Sequence, residues 1–265
     1  MSGSEVSGAS YEAAYRVRFD EAGPDGRLRT SGLLRYTQDL AARHSEALGY
    51  DRAWYRARGL TWLVRTAELD IRSAIPYGAD IAGTTRVVGF RRVWSRREST
   101  FRVGAELAAL VRIDWVLLDE RGSPTRIPPE FEVFFPGAES SSALQLGRVA
   151  LEEAPADAGR GTFHVRPQEL DPLDHVNNAV YADWLDEAIL AAAGNGARVV
   201  RGLPRRVRLE YALAAEPGER LETVTWQDEG GWSCRIRRTA DDADLLRARL
   251  EPATGWSSSG SAERA

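Results

Sequence analysis

Residues 170–187 hold the side chains best suited to chemistry. They run Leu170-Asp171-Pro172-Leu173-Asp174-His175-Val176-Asn177-Asn178 and continue to Tyr181, Trp184 and Glu187. A carboxylate, Asp171, and an imidazole, His175, share a turn just before a helix expected from about Val176 to Ala193. The first amides of a helix point outward and carry partial positive charge. They can hold a developing oxyanion. A carboxylate beside them could activate water or attack a thioester carbonyl directly. Because a thiolate leaves readily, one carboxylate, one set of oxyanion donors and one positioning residue suffice. The same spacing also describes an Asx-type turn at Asp171, a helix cap at Asp174 and a surface His175. Spacing alone does not choose between these.

The elements that must hold this turn in place fall into two similar runs. The first opens with a strand-like segment, Tyr11 to Phe19, and a turn at Gly23-Pro24-Asp25-Gly26. A helix follows, capped by Thr30 or Ser31, with Leu33, Leu34, Thr37, Leu40, Ala41 and Leu48 at helical spacing and Gly49 as its stop. A short helix is expected over residues 51–58. Strands are expected at Leu60–Ile71, Asp80–Phe90, Val93–Val103 and Leu107–Leu118. The second run repeats the order. A strand begins at Thr162–Val165, and the helix after Asp171 is stopped by Gly194-Asn195-Gly196. Four strands follow, at about Arg206–Leu213, Arg220–Gln227, Trp232–Arg238 and Asp244–Glu251, with a hairpin turn at Asp228-Glu229-Gly230-Gly231. The repeat lies in element order; identity between the halves is slight. It predicts an α+β chain of two duplicated units, 11–135 and 162–252, as two packed sheets each curled around one long helix. Residues 1–10, 136–161 and 253–265 are expected to be flexible or linking, Ser140–Ser142 and Pro155–Gly161 most of all.

Bulk properties narrow the classes. The net charge of the 265 residues is -4, which argues against nucleic-acid binding through bulk charge. No lysine occurs, so all 35 positive charges are arginine. Cys234 is the single cysteine, which excludes an internal disulfide and a cysteine-rich metal site. No signal-peptide pattern and no apolar run of membrane-spanning length is found, so a cytoplasmic protein off the membrane is the simplest expectation. His44 and His164 have no neighbours at metal-ligand spacing and, with Cys234, read as structural residues.

Asp171 followed by His175-Val176-Asn177-Asn178, then Tyr181, Trp184 and Glu187, resembles the signature of hotdog-fold thioesterases. More closely, the chain is similar to the acyl-acyl-carrier-protein thioesterases, which carry two tandem hotdog domains. The likeness covers nearly all of 11–251. It includes Glu21-Ala22-Gly23-Pro24-Asp25-Gly26, Trp62-Leu63-Val64-Arg65, Gly78-Ala79-Asp80, Arg126-Ile127-Pro128 and Leu209-Glu210-Tyr211. It implies that the second domain carries the catalytic residues. Asp171 would be the general base or nucleophile, and His175 would orient the thioester carbonyl. The Val176 and Asn177 amides would be oxyanion donors, and Glu187 a further carboxylate on the helix. The first domain would form the acyl pocket, with Leu33, Leu40, Trp54 and Trp62 among its lining and Leu173 and Tyr181 contributed by the second. Two positions depart from the plant pattern: Leu173 stands where an Asn is usual, and Ala214 and Ala215 stand where a Glu or Cys is expected, with Glu216 next.

The resemblance further implies hydrolysis by water without a cofactor, and acyl carrier protein as partner through its acyl-phosphopantetheine arm. Arg91, Arg92, Arg96 and Arg97 cluster at one hairpin, and Arg201, Arg205, Arg206 and Arg208 before a strand. Arg91 and Arg92 are the expected contacts to that acidic partner. An acyl-CoA thioesterase and a non-catalytic acyl-binding hotdog protein are the alternatives, and a monomer or a homodimer is compatible with the tandem repeat.

Overall fold

The computed structural model describes residues 10–131, 135, 139–140, 147–192, 196–228 and 230–253. The termini at 1–9 and 254–265, most of 136–146, the Gly194-Asn195 helix stop and Glu229 of the hairpin turn lie outside the described residues.

In the first half the strands are β1 (Tyr11–Arg16), β2 (Thr61–Ile71), β3 (Asp80–Arg91), β4 (Trp94–Val103) and β5 (Glu106–Leu118). They accompany a long helix α1 (Thr30–Ala47) and a short one, α2 (Arg52–Ala57). In the second half come β7 (Gly159–His164), α3 (Val180–Ala192), α4 (Gly196–Arg201), β8 (Arg205–Tyr211), β9 (Arg220–Asp228), β10 (Gly231–Arg238) and β11 (Asp244–Pro252). Helix α1 buries Leu33, Leu34, Thr37, Leu40, Ala41 and His44 on one stripe, and α3 buries Tyr181, Trp184, Leu185, Ala188 and Ile189. The strands carry the opposing apolar face with period two: Val207, Leu209 and Tyr211 of β8 are buried. In β2 the alternation slips at a bulge between Val64 and Thr66, after which Ala67, Leu69 and Ile71 point inward.

Several expectations are corrected. The two sheets do not pack as separate layers. They join edge to edge into one sheet of order β1-β3-β4-β5-β2-β8-β11-β10-β9-β7, the seam being β2 against β8 from Thr66↔Glu210 to Ile71↔Arg205. Each half alone would end in an unpaired strand edge, and antiparallel pairing satisfies both. Within the expected linker, β6 (Glu139–Ser140) pairs in parallel with Gly89–Phe90, and β7 starts at Gly159, ahead of Thr162. Helix α1 is not capped by Thr30 or Ser31. Its N-cap is Arg29, without a side-chain cap bond, and both hydroxyl residues are buried inside the helix. Asp51, by contrast, caps α2 by accepting the Trp54 N–H at 2.7 Å.

The halves share a clasp that identity between them does not advertise. Before α1, the backbone N–H of Arg18 donates to the Glu21 carboxylate at 2.9 Å, and the Tyr36 hydroxyl donates to the same carboxylate. Before α3, Arg166 N–H donates to Glu169 at 2.7 Å and Trp184 Nε1 donates to it at 3.1 Å. In both halves a glutamate ties the incoming turn to an aromatic residue in the helix that follows.

Candidate active site

The Glu169 clasp fixes the start of the turn, and the rest is built from backbone bonds. Asp171 N–H donates to the His175 carbonyl at 2.8 Å, Asp174 N–H to the Asp171 carbonyl at 2.9 Å, and Asn177 N–H to the Glu169 carbonyl at 2.9 Å. Asp171 Oδ1 accepts the Leu173 N–H at 2.8 Å, an Asx turn that sets the carboxylate's orientation. Asp174 does not cap the helix as expected; it turns the chain with φ 61°. Capping falls to Asn177, whose Oδ1 accepts the Ala179 N–H at 2.9 Å.

This turn sits at the junction of the halves. Asn177 Nδ2 donates to Gln38 Oε1 of α1 at 3.3 Å, and Arg52 of α2 donates to the Pro172 carbonyl at 3.0 Å. Behind it, the Tyr211 hydroxyl donates to the Asn178 carbonyl at 2.9 Å, and the Ala215 N–H donates to the Tyr181 hydroxyl at 3.0 Å. Arg65 of β2 donates to the Tyr211 carbonyl and, at 3.0 Å, to that of Ala212, and lies 3.5 Å from Glu210. The candidate carboxylate is thus carried by the second half and braced by the first.

The first half contains the same turn with different side chains. Gly23 N–H donates to Arg27 O at 2.8 Å, Gly26 N–H to Gly23 O at 2.9 Å, and Arg29 N–H to Glu21 O at 3.0 Å. Gly23, Gly26 and Arg27 therefore stand where Asp171, Asp174 and His175 stand. One difference bears on chemistry. In the first half the next amide, Leu28 N–H, is tied to the Ile75 carbonyl at 2.8 Å. Its counterpart is Val176, a buried residue at 4% exposure, whose N–H meets no acceptor among the described residues. A buried unpaired amide is costly unless something accepts from it. Beside a carboxylate it is a ready oxyanion donor.

The other expected residues are placed as follows. Asp171 is half-buried and His175 exposed. The Asn177 N–H, expected as a second oxyanion donor, is committed to Glu169, so Val176 is left as the donor of that pair. Leu173 is half exposed on the turn, and Tyr181 is buried with its hydroxyl held by Ala215. Leu40 is core. Trp54 and Trp62 lie in a separate aromatic cluster with Tyr50, Phe90, Phe131 and Phe135. Glu187 and Leu33 are not gathered with Asp171: both line a cavity beside the first-half turn. Arg91 and Arg92 are exposed at the β3–β4 hairpin, but their neighbours are otherwise engaged. Arg96 pairs with Asp114 at 2.6 Å, and Arg97 is buried with Nη1 2.9 Å from His44 Nδ1, burial drawing its pKa down to about 10. In the second arginine cluster, Arg206 pairs with Asp70 at 2.6 Å and Arg208 with Glu251 at 3.1 Å. Sequence reasoning missed Glu169, Gln38 and Arg52. The shared spacing of Glu21 to Tyr36 and Glu169 to Trp184 could have revealed the first; the other two carry no local signal.

Family models for the acyl-ACP thioesterase N-terminal domain and C-terminal domain match residues 8–134 and 152–251. An uncharacterised protein of Mycobacterium tuberculosis (strain ATCC 25618 / H37Rv) is 25% identical over 224 residues, covering 81% of this chain and 82% of its own length. Among solved structures, one provisionally named an oleoyl thioesterase, from Lactobacillus plantarum, superposes with TM-score 0.81 at 20% identity over 93% of this chain and 98% of its own. A 12:0-ACP thioesterase from Umbellularia californica does so with TM-score 0.75 at 18% identity, covering 91% and 96%. At these identities the structural likenesses establish the α+β hotdog-like fold.

Proposed function

The chain belongs to the acyl-ACP thioesterase family, and from that premise we propose that it hydrolyses acyl thioesters of acyl carrier protein in fatty acid biosynthesis, in the cytoplasm, with Asp171 as general base. The carrying observation is the asymmetry between the two turns. Where the first half has glycines and a tied-down Leu28 amide, the second has Asp171 and an unpaired Val176 N–H. In the proposed step Asp171 takes a proton from water and the resulting hydroxide attacks the thioester carbonyl carbon. The carbonyl oxygen gains the negative charge and is held by Val176 N–H, with exposed His175 orienting it. Collapse breaks the C–S bond, releasing the phosphopantetheine thiolate, which takes up the proton, and the free acid. Leu173, Ala214 and Ala215 supply no polar side chain to this step, so the site is reduced to Asp171, His175 and one amide. The exposed Arg91 and Arg92 at the β3–β4 hairpin would suit an acidic carrier protein, although the phosphates of coenzyme A would meet the same charges.

Rates of acid release from matched acyl-carrier-protein and acyl-CoA thioesters, with Asp171→Asn and His175→Ala as controls, test this. The expected result is faster turnover on the carrier protein and a loss of roughly 10²-fold or more in Asp171→Asn. Full turnover in both Asp171→Asn and His175→Ala would overturn the site assignment, whereas a parent rate that is only a trace and is unchanged in Asp171→Asn would favour an acyl-binding protein.

A further inference from the structure

The first-half turn also faces a cavity. Its volume is about 520 Å³, within the range of small-molecule sites. Its walls are the turn itself, the end of β2 and the loop after it, the outer side of α3 and the segment leading into β8. By the repeat, this is the counterpart of the Asp171 site. There the second-half turn meets α1 of the first half; here the first-half turn meets α3 of the second. Arg27 of this turn donates to the Arg201 carbonyl of α4 at 3.5 Å, as Arg52 of α2 donates to Pro172 across the other junction.

The counterpart carries different side chains. Gly23 and Arg27 replace Asp171 and His175, and the amide equivalent to Val176 is bonded. What it holds instead is Arg205, 9% exposed, on the inward face of β8. A guanidinium has five N–H donors. Among the described residues Arg205 meets two acceptors, the Gly202 carbonyl and Thr30 Oγ1, each at 3.3 Å, and no carboxylate lies within ion-pair distance. Asp186 on α3 also lines the cavity, with no hydrogen bond or ion pair among the described residues. Burial pushes its carboxyl up to about 7, against the pull of Arg205 and with help from Asp183. In its protonated form that carboxyl can donate a hydrogen bond to an anion. Leu28, Leu33, Ile71, Ile75 and Leu190 supply an apolar wall.

We propose that this cavity is a second, non-hydrolytic site for a small aliphatic carboxylic acid, its carboxylate on Arg205 and its chain along Leu28, Ile71, Ile75 and Leu190. The buried guanidinium has no carboxylate within ion-pair distance and suits an anion, the apolar wall suits a hydrocarbon, and the turn carries Gly23 and Arg27 where the other carries Asp171 and His175. The inference stands whether or not Asp171 hydrolyses a thioester.

Calorimetric titration of octanoate into the full chain at pH 6.5, with octan-1-ol as the uncharged control, tests it. The expected result is a saturable site that binds octanol at least tenfold more weakly. It weakens at least tenfold in Arg205→Gln and in Leu190→Trp, and it persists in Asp171→Asn. Leu190 is 42% exposed, so a tryptophan there fills the cavity mouth without disturbing the core, and the variant stays informative if Arg205→Gln does not fold. Thioester hydrolysis by Leu190→Trp should stay at the parent rate. Absence of a saturable octanoate site, equal binding of octanol, or full octanoate affinity in Leu190→Trp would overturn the proposal.

Discussion

Asp171 and Asp186 sit on either side of the same helix start, and their surroundings set them opposite tasks. Asp171 has one oxygen oriented by the Leu173 N–H, whereas Asp186 is recessed with no donor supplied to it. Asp186 feels Arg205 of β8 and Asp183 of its own helix, shares its cavity with Asp25, Arg27 and Arg29 of the first turn, Arg201 of α4 and Glu187, and burial outweighs the pull of Arg205. Its folded pKa, about 7, stands well above the ordinary aspartate range, so the folded protein holds the proton more tightly than the unfolded chain. Stability from this group is therefore fully present below about pH 4 and is lost as pH rises through about 7. Asp186→Asn is expected to raise the melting temperature at pH 8 and change it little at pH 4; an equal shift at both would contradict the assignment. Cys234 illustrates the same physics. It is fully buried, its thiol is pushed up to about 12 by burial, and its neighbours are core strands. It should resist a thiol reagent at pH 8 in the folded protein and react at once in denaturant. The structural role of Cys234 was legible from its place in a Trp232-to-Ile236 strand, because alternation alone puts it inward. That of Asp186 was not, because its burial is set by β8 and by the turn of the other half, far away in sequence.

At the scale of elements, turn chemistry decides where helices begin. The helix expected from Val176 begins at Val180, because Asn177 captures the Ala179 and Val180 amides, at 2.9 Å each, and delays the first turn. Asn177→Ala should cost about 1 kcal/mol by loss of the cap. It also releases the 3.3 Å tie to Gln38 that holds the Asp171 turn against α1. Denaturant midpoints and hydrolysis rates should both fall, the rate more steeply than the lost cap alone would cause. Asp174 holds φ 61° where the first half has Gly26 at φ 71°. Asp174→Gly should therefore keep or raise stability, by up to ~1 kcal/mol, while Asp174→Val should lower it. The long strands were readable to within a residue or two, because Val, Ile and Trp alternate between Gly and Asp turns, but β1 ends at Arg16 short of Phe19, β7 begins three residues before Thr162, and β6 carries no such pattern. The start of α3 was misjudged because Asp174 and Asn177 are both good caps in composition. Only the left-handed backbone of Asp174 removes it from contention, and that backbone is imposed by the bond from its N–H to Asp171.

At the scale of the molecule, the repeat foretold two sheet-around-helix units but not their union. Nothing local marks β2 and β8 as partners. Both alternate like any half-buried strand, and the pairing is specified by what lies across the seam. Asp70 receives Arg206 at 2.6 Å, Leu69 sits opposite Val207, and Ala67 opposite Leu209. A seam of this kind both closes two open edges and buries apolar side chains continuous with the core beneath. It also fixes the distance between each turn and the helix of the other half, on which both the Asp171 site and the Arg205 cavity depend. The halves should therefore not be separable. Expressed alone, residues 10–131 would present β2 as a long edge with Leu69 and Ile71 uncovered, and would pair with a second copy or aggregate. Size-exclusion chromatography with light scattering should find the isolated first half dimeric or insoluble, and mixing it with residues 147–253 should yield a one-to-one complex that recovers hydrolysis. A stable, monomeric first half with native circular dichroism would show that the seam contributes little. It would also show that the geometry of the Asp171 turn does not depend on the pairing of β2 with β8.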